Sequence, residues 1–305
     1  MDFLSAIKSI AGEECIFCNE MMSDHTTFKV GGPAKYFVVP YRAEDIKKYI
    51  LAAEEYKIPY YVIGNGSNLL VSDKGYDGMI IMLGRDLGNI TVNGDRITAE
   101  AGTSLARLFN TARRHSLSGL EFAAGIPGTL GGACYMNAGA YGGEMKDVLT
   151  KVVTIDRQGN THEYKQGEME LSYRNSIFIR KQEIILSAEM KLCKGDVEKM
   201  TRKVNELLEK RKEKQPLEYP SAGSTFKRPE GDFAGRLIEE CGLKGKGVNG
   251  AEVSKKHAGF IINRNNATAR DIYDTINLVT DTVLEKTGIK LEPEVRLLGD
   301  FSGNT

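Results

Sequence analysis

The sequence lacks a charge excess, a long apolar run and an organised set of cysteines. Lys plus Arg and Asp plus Glu number 41 each in 305 residues. A nucleic-acid-binding domain more usually carries a basic surplus, so composition gives no support for a DNA or RNA partner. No apolar stretch approaches the ~20 residues that cross a bilayer, and Met1-Asp2-Phe3-Leu4 has no basic stretch leading into an apolar one. Neither a membrane span nor a secretory signal is therefore expected, and a cytoplasmic location is. The five cysteines, Cys15, Cys18, Cys134, Cys193 and Cys241, are odd in number and scattered. Cys15 and Cys18 form a C-x-x-C without a second pair or a matching histidine cluster, so no metal site is expected and reduced thiols are. Low-complexity segments and internal repeats are also missing.

Glycine is what the chain has in concentration. Many of the 33 glycines fall in residues 64–88 and 119–143, and glycine is needed where backbone takes positive φ or approaches a ligand closely. The surrounding pattern is α+β. A helix is expected over residues 3–11 and a strand over 36–39. Ile46, Tyr49, Ile50 and Ala53 then recur at helical spacing, and Pro59 ends that helix. Tyr60-Tyr61-Val62-Ile63 runs as a strand into Gly64-Asn65-Gly66-Ser67-Asn68. A β-α-β unit whose second strand ends in a glycine turn is where α/β proteins hold ligands. Strands follow over 78–83, 90–92 and 96–101, and Thr103 is placed to cap a helix carrying Leu105, Leu108, Phe109 and Ala112. Further strands are expected over 152–156 and 183–192. From residue 196 a charged helix runs to Pro216, its alternating signs marking a solvated face. Thr268 and Asp271 make a capping box for a last helix ending near Gly288. A terminal strand over 289–298 puts Glu292, Glu294 and Arg296 on one face.

Gly64-Asn65-Gly66-Ser67-Asn68 offers backbone N–H groups in a turn, as an anion nest does. It is neither a dinucleotide fingerprint opening a helix nor a Walker loop. Gly125-Ile126-Pro127-Gly128-Thr129-Leu130-Gly131-Gly132 is a rigid, side-chain-poor surface, continued by Asn137-Ala138-Gly139-Ala140-Tyr141-Gly142. Two such loops suit an extended dinucleotide better than a single phosphate.

At this point the chain resembles the UDP-N-acetylenolpyruvoylglucosamine reductase family. The segments that carry the likeness are Thr26-Thr27-Phe28-Lys29-Val30-Gly31-Gly32-Pro33-Ala34, the three glycine segments above, Ser172-Tyr173-Arg174-Asn175-Ser176, Gly223-Ser224-Thr225-Phe226-Lys227 and Leu291-Glu292-Pro293-Glu294-Val295-Arg296. They run in order from about residue 24 to 300. The resemblance implies a two-subdomain FAD-binding fold of the vanillyl-alcohol oxidase (PCMH) type (1–85 and 86–195) followed by an α+β substrate domain (196–305). It implies non-covalent FAD, NADPH as hydride donor, and UDP-N-acetylglucosamine enolpyruvate as substrate in peptidoglycan precursor synthesis, with the hydride passing from NADPH through flavin N5 to the substrate. A monomer is expected.

By the same resemblance Ser224 protonates the enol, Arg174 stabilises the enolate and Glu294 acts with Arg174. Gly64, Asn65, Gly66, Ser67, Asn68, Gly125, Ile126, Pro127, Gly128, Thr129, Gly131, Ala138 and Gly139 fall at cofactor positions, and Tyr141, Lys227, His257 and Arg296 at substrate positions. Glu292 is expected to form a structural salt bridge. The stretch between Arg174 and Ser224 leaves no room for the tyrosine-bearing lid loop of one branch, so the shorter branch is expected. The competing enzyme reading is another FAD oxidoreductase of this fold, acting on a small alcohol or hydroxy acid. Many of those tether FAD through a histidine near the first glycine loop, and no histidine occurs between His25 and His115. A flavin-binding module without catalysis would make no demand on Arg174, Ser224 or Glu294.

Overall fold

The computed structural model describes residues 2–84 and 87–303. The expected division at residues 85 and 86 lies outside the described residues. Two compact units, each built from separated stretches of chain, take up the sequence: Met1–Cys18, Tyr36–Asn65 and Gly78–Glu209 in the first, Asn19–Lys35, Gly66–Asp77 and Lys210–Thr305 in the second.

In the first unit, helix Ala43–Glu55 buries Ile46, Tyr49, Ile50 and Ala53, the four residues whose spacing foretold it. It stops at Tyr56, and Lys57 takes a left-handed φ of 55° just ahead of Pro59. Strand Tyr60–Ile63 follows and pairs in parallel with residues 79–82, from Tyr60 opposite Met79 to Ile63 opposite Met82. The largest sheet has five strands in the order Thr161–Lys165, Leu149–Ile155, Ile184–Lys191, Arg96–Glu100 and Ile90–Asn93, with antiparallel neighbours. Helix Leu105–Arg114 is capped by Ser104, whose side chain accepts the N–H of Arg107, and not by Thr103. Thr103 is buried, and its carbonyl instead accepts the N–H of Leu130 at 2.8 Å. Fully buried Ile97, Leu108, Leu130 and Val152 belong to one core, each worth about 1.5–3 kcal/mol relative to exposure.

In the second unit, helix Ala269–Thr287 opens on the foreseen capping box. Asp271 donates its N–H to Thr268 Oγ1 at 3.0 Å, and Thr268 donates its N–H to Asp271 Oδ2 at 2.9 Å. A second acid, Asp73, accepts the N–H groups of Ala269 and Arg270, both at 2.8 Å. This explains why residues 66–77 fold with the C-terminal stretch: their carboxylate satisfies that helix's first turn. Gly288 ends the helix at φ 73°. Its inner face, Ile272, Ile276, Val279 and Val283, packs in a core with Phe28, Leu70, Ile238, Leu291 and Val295.

The expected strand over 289–298 is shorter. Only Arg296–Leu298 is strand, and it pairs in parallel with Leu69–Val71. Proline has no N–H for a ladder, and Pro293 makes a single isolated bridge with Phe226. A continuous strand therefore does not place Glu292, Glu294 and Arg296 on a common face. Among the described residues no disulfide joins the cysteines, and no helix is long and apolar enough to cross a membrane.

Candidate active site

In the first unit, strand Tyr60–Ile63 delivers Gly64 against Thr129. A β-carbon added at Gly64 would lie 2.2 Å from Thr129 Oγ1. Asn65 Nδ2 donates to the carbonyl of Pro127 at 3.4 Å, so the start of the first glycine loop is laid along the second. That second loop is tightly bound: Ile126 donates to Ala123 at 3.0 Å, Gly128 to Ile126 at 2.9 Å, and Gly131 to Ala101 at 2.9 Å. Its Gly128 carbonyl accepts the N–H of Leu105 at 3.1 Å. Gly131 has a packing reason of its own, since a β-carbon would come within 2.9 Å of that of Ala101. Gly132 differs: it is exposed, and the nearest atom to an added β-carbon is Thr129 Oγ1 at 3.8 Å.

Beyond this loop lie Ala138 and a tight hairpin. Ala138 is buried, donates to Ala133 at 2.8 Å and accepts from Met145 at 3.0 Å. Strands Gly139–Ala140 and Gly143–Glu144 pair antiparallel. A β-carbon at Gly139 would meet Glu144 at 2.7 Å, so only glycine allows that approach. The two tip residues, Tyr141 at φ 53° and Gly142 at φ 87°, are both left-handed. That is the signature of a type I′ turn, whose first position usually holds Asn, Asp or Gly. A tyrosine there is strained, and the residue is 45% exposed. Strain of this kind collects at functional sites.

Arg174 shows the same feature at φ 52°. It occupies a two-residue turn closed by Ser172 and Asn175, which exchange backbone hydrogen bonds of 3.2 Å each. The guanidinium carbon lies 5.0 Å from the Tyr173 ring centroid, a cation–π contact. Ser176, buried, ties the far side of the turn down by donating Oγ to the carbonyl of Tyr135 at 2.5 Å.

In the second unit, the serine and glutamate motifs meet. Glu294 donates its N–H to the carbonyl of Thr225 at 2.7 Å, and Lys227 donates its N–H to the carbonyl of Glu292 at 2.8 Å. Thr225 is buried; its Oγ1 accepts from Ile261 and its N–H donates to Gly259. Exposed Ser224, after Gly223 at φ 75°, projects from this anchored residue. Asn68 spans the next step: Nδ2 donates to the Glu294 carbonyl at 3.2 Å, and its own carbonyl accepts the Arg296 N–H at 3.0 Å. Gly66 sits so close to His25 that a β-carbon would be 2.0 Å from that carbonyl. Ser67 lies between them, half-buried.

The remaining candidates fare differently. The Lys227 ammonium is paired with the Glu292 carboxylate, which gives Glu292 the structural salt bridge expected of it. Arg296 is exposed at the strand's start. His257 Nδ1 accepts the N–H of Gly259 at 3.1 Å, and the ring packs edge-on against Phe260 at 4.8 Å. Burial, with a smaller push from Lys244, holds its pKa below the usual 6.5, so it is a neutral loop histidine.

Taken unit by unit, the residues around each glycine loop fit a bound cofactor. Thr103 Oγ1 and Thr27 Oγ1 are buried without a hydrogen-bond partner. Each stands next to a glycine loop, Thr103 through the Leu130 N–H and Thr27 through its own N–H to Gly66 at 3.2 Å. Native proteins seldom leave buried hydroxyls orphaned, and a bound ligand supplies partners. Neither threonine is expected at a cofactor position from the sequence. Buried threonines carry no pattern of their own, although Thr27 stands in the first of the family-like segments.

Fold and loops together define a flavoprotein with the FAD-binding fold of the vanillyl-alcohol oxidase type. Residues 34–165 match the family model described as FAD binding domain. The chain is also similar in fold to a glucose oxidase variant of Phl p 4, at TM-score 0.52 and 13% identity over 65% of this chain and 45% of that one. More specifically, the chain belongs to the UDP-N-acetylenolpyruvoylglucosamine reductase family. Residues 215–298 match the model for that reductase's C-terminal domain. The UDP-N-acetylenolpyruvoylglucosamine reductase of Caldanaerobacter subterraneus is 49% identical over 96% of this chain and 97% of its own length. The crystal structure of the corresponding reductase from Thermus caldophilus superposes at TM-score 0.79, with 36% identity, over 92% of this chain and 98% of that one.

Proposed function

We propose that this chain is a cytoplasmic, NADPH-dependent flavoenzyme that reduces the enolpyruvyl ether of UDP-N-acetylglucosamine enolpyruvate to the lactyl ether of UDP-N-acetylmuramate, a precursor step of peptidoglycan synthesis. Its functional parts are two FAD-binding stretches, 1–85 and 86–195, and a substrate domain, 196–305. Bound FAD supplies the relay that takes a hydride from NADPH and delivers it to the β-carbon of the substrate.

The protein's own residues handle the charge and the proton. Addition of hydride at the β-carbon drives an electron pair onto the carboxylate end, and the barrier falls if that developing charge is met by a fixed cation. Arg174 supplies it: a guanidinium fork matches a carboxylate in geometry as well as charge. The α-carbon then takes a proton from Ser224, which completes saturation of the double bond. A lone serine is a weak acid, so a neighbouring group must assist it. The observation that carries this reading is the 2.7 Å hydrogen bond from the Glu294 N–H to Thr225, which seats Glu294 beside Ser224. Tyr141, Arg296 and Lys227 are assigned to the substrate, Lys227 through exchange of its Glu292 partner, and His257 to the shape of its loop. The cofactor is assigned to Gly64, Asn65, Gly66, Ser67 and Asn68, to 125–129 with Gly131, and to Ala138 and Gly139.

The test is anaerobic. NADPH reduces the purified yellow protein, and UDP-N-acetylglucosamine enolpyruvate is then added. The wild type reoxidises, and Ser224→Ala slows that step by about 10²–10⁴-fold while leaving reduction by NADPH intact. Reduced protein that ignores this substrate yet turns over with oxygen and an alcohol belongs instead to an oxidase.

A further inference from the structure

Asn137 is completely buried, takes a left-handed φ of 46°, and uses both ends of its amide. Nδ2 donates to Glu144 Oε2 at 2.6 Å and to the carbonyl of Ser172 at 3.1 Å; Oδ1 accepts the N–H of Lys146 at 2.9 Å. The partners fix the orientation, because a flipped amide would set its oxygen against a carboxylate and a carbonyl. Two turns therefore converge on one side chain. Glu144 belongs to the hairpin with Tyr141 at its tip, Lys146 to the short 3-10 helix Met145–Asp147 that follows it, and Ser172 closes the turn that presents Arg174. Both tip residues are held in left-handed backbone, a conformation that persists only where the surroundings over-determine it.

We infer that Asn137 is a positioning residue that locks the Tyr141 hairpin and the Arg174 turn into one register, and so sets the guanidinium for the substrate half of the reaction. The inference rests on the role given to Arg174 above. The nearest replacements fail the demands of the position. Aspartate would face Glu144 and the Ser172 carbonyl with acceptors, glutamine is a methylene too long, and aliphatic residues resist the left-handed φ and leave the Lys146 N–H without its acceptor. A residue that merely stabilised the fold would depress both half-reactions together through loss of folded holoenzyme. One that positions Arg174 depresses only the half-reaction Arg174 serves.

The experiment uses the holoenzyme with Asn137→Asp and Asn137→Gly, the second of which accepts the left-handed backbone freely. Amide hydrogen exchange is followed in segments 139–146 and 172–176, and the two half-reactions are timed separately. Exchange is expected to rise in both segments. Reduction by NADPH stays near the wild-type rate, while reoxidation by substrate falls about 10²-fold, the cost of a misplacement on the order of 1 Å. In an Arg174→Ala background the same changes add little, as expected of residues acting through one group. Exchange that stays at the wild-type level overturns the inference, as does loosened exchange with full reoxidation while Arg174→Ala alone is slow. If Arg174→Ala itself reoxidises normally, the role given to Arg174 fails, and the locking of the two turns is judged by exchange alone. Should both Asn137 variants misfold, Glu144→Ala removes one acceptor at a part-exposed side chain, and loosening of 172–176 along with 139–146 is the result required.

Discussion

The backbone N–H of Glu294 reaches the carbonyl of Thr225 at 2.7 Å, and that bond joins two motifs from distant parts of the sequence. It is a backbone contact, made to the residue that follows Ser224. The Asn68 amide grips the Glu294 carbonyl from the other direction at 3.2 Å. Two backbone contacts thus hold the residue in place, and both survive a change at its carboxyl group.

Glu294→Gln follows from this. The amide keeps the size of the side chain and both backbone contacts but cannot ionise or release a proton. Substrate-driven reoxidation is expected to slow by about 10²–10⁴-fold, with reduction by NADPH almost unmoved. Stopped-flow absorbance of the two half-reactions checks it. Equal slowing of both would make Glu294 part of cofactor binding instead.

Arg174→Gly should separate stability from activity. The change removes the guanidinium but relieves a left-handed backbone that arginine adopts at a cost of about 1–3 kcal/mol. Glycine's greater freedom in the unfolded chain offsets much of that relief, and the guanidinium's contact with the Tyr173 ring is lost as well, so unfolding free energy is expected to fall by about 1–2 kcal/mol. Loss of the fixed cation should slow reoxidation by roughly 10²–10³-fold. Urea unfolding and half-reaction rates measure the two effects. A strongly destabilised variant would show that Arg174 is a structural clamp.

The parts of this architecture visible in the sequence are those specified locally. Ile46, Tyr49, Ile50 and Ala53 announced a helix because one buried stripe dictates its period, and Thr268 with Asp271 announced a helix start because the box closes within one turn. The expected strand at 289–298 was longer than the real one because β-propensity along a run does not reveal where its hydrogen-bonding partners lie. Leu69–Val71 is the partner, and it reaches only Arg296–Leu298. Thr103 lost the cap to Ser104 by one residue, because either hydroxyl suits an N-cap and only the backbone decides. Asn137 stayed hidden for a related reason. Its partners Ser172 and Glu144 lie on different turns, and nothing in a single sequence says that one amide serves both. The discontinuous units rest on similar long-range links, such as Asp73 with the N–H groups of Ala269 and Arg270.

His257 gives the second unit a pH dependence. Burial keeps its folded pKa below 6.5, so the unfolded chain binds the proton first as pH falls. The stability associated with the neutral ring is therefore present above pH 6.5 and is lost as pH drops through the region just below it. His257→Asn should flatten the difference between urea midpoints measured at pH 8 and at pH 5.5. An unchanged difference would assign that slope to other groups, Glu239 and Lys244 being the charged neighbours that also bear on this imidazole.

Gly64 and Gly132 test whether the glycine surface exists for packing or for the cofactor. At Gly64 a methyl group collides with Thr129 Oγ1 at 2.2 Å, so Gly64→Ala should destabilise the apoprotein by about 1–3 kcal/mol whether or not FAD is present. At Gly132 the nearest atom is 3.8 Å away, and the residue lies inside helix Leu130–Tyr135. Alanine there should leave the apoprotein as stable as wild type, or up to about 1 kcal/mol more stable, because it is the better helix former. Any loss then belongs to the ligand: Gly132→Ala is expected to bind FAD more weakly, read by fluorescence titration of the apoprotein, with its melting temperature held or raised. If Gly132→Ala binds FAD as tightly as wild type, Gly132 takes no part in holding the cofactor, and the assignment rests on residues 125–129 and Gly131 alone.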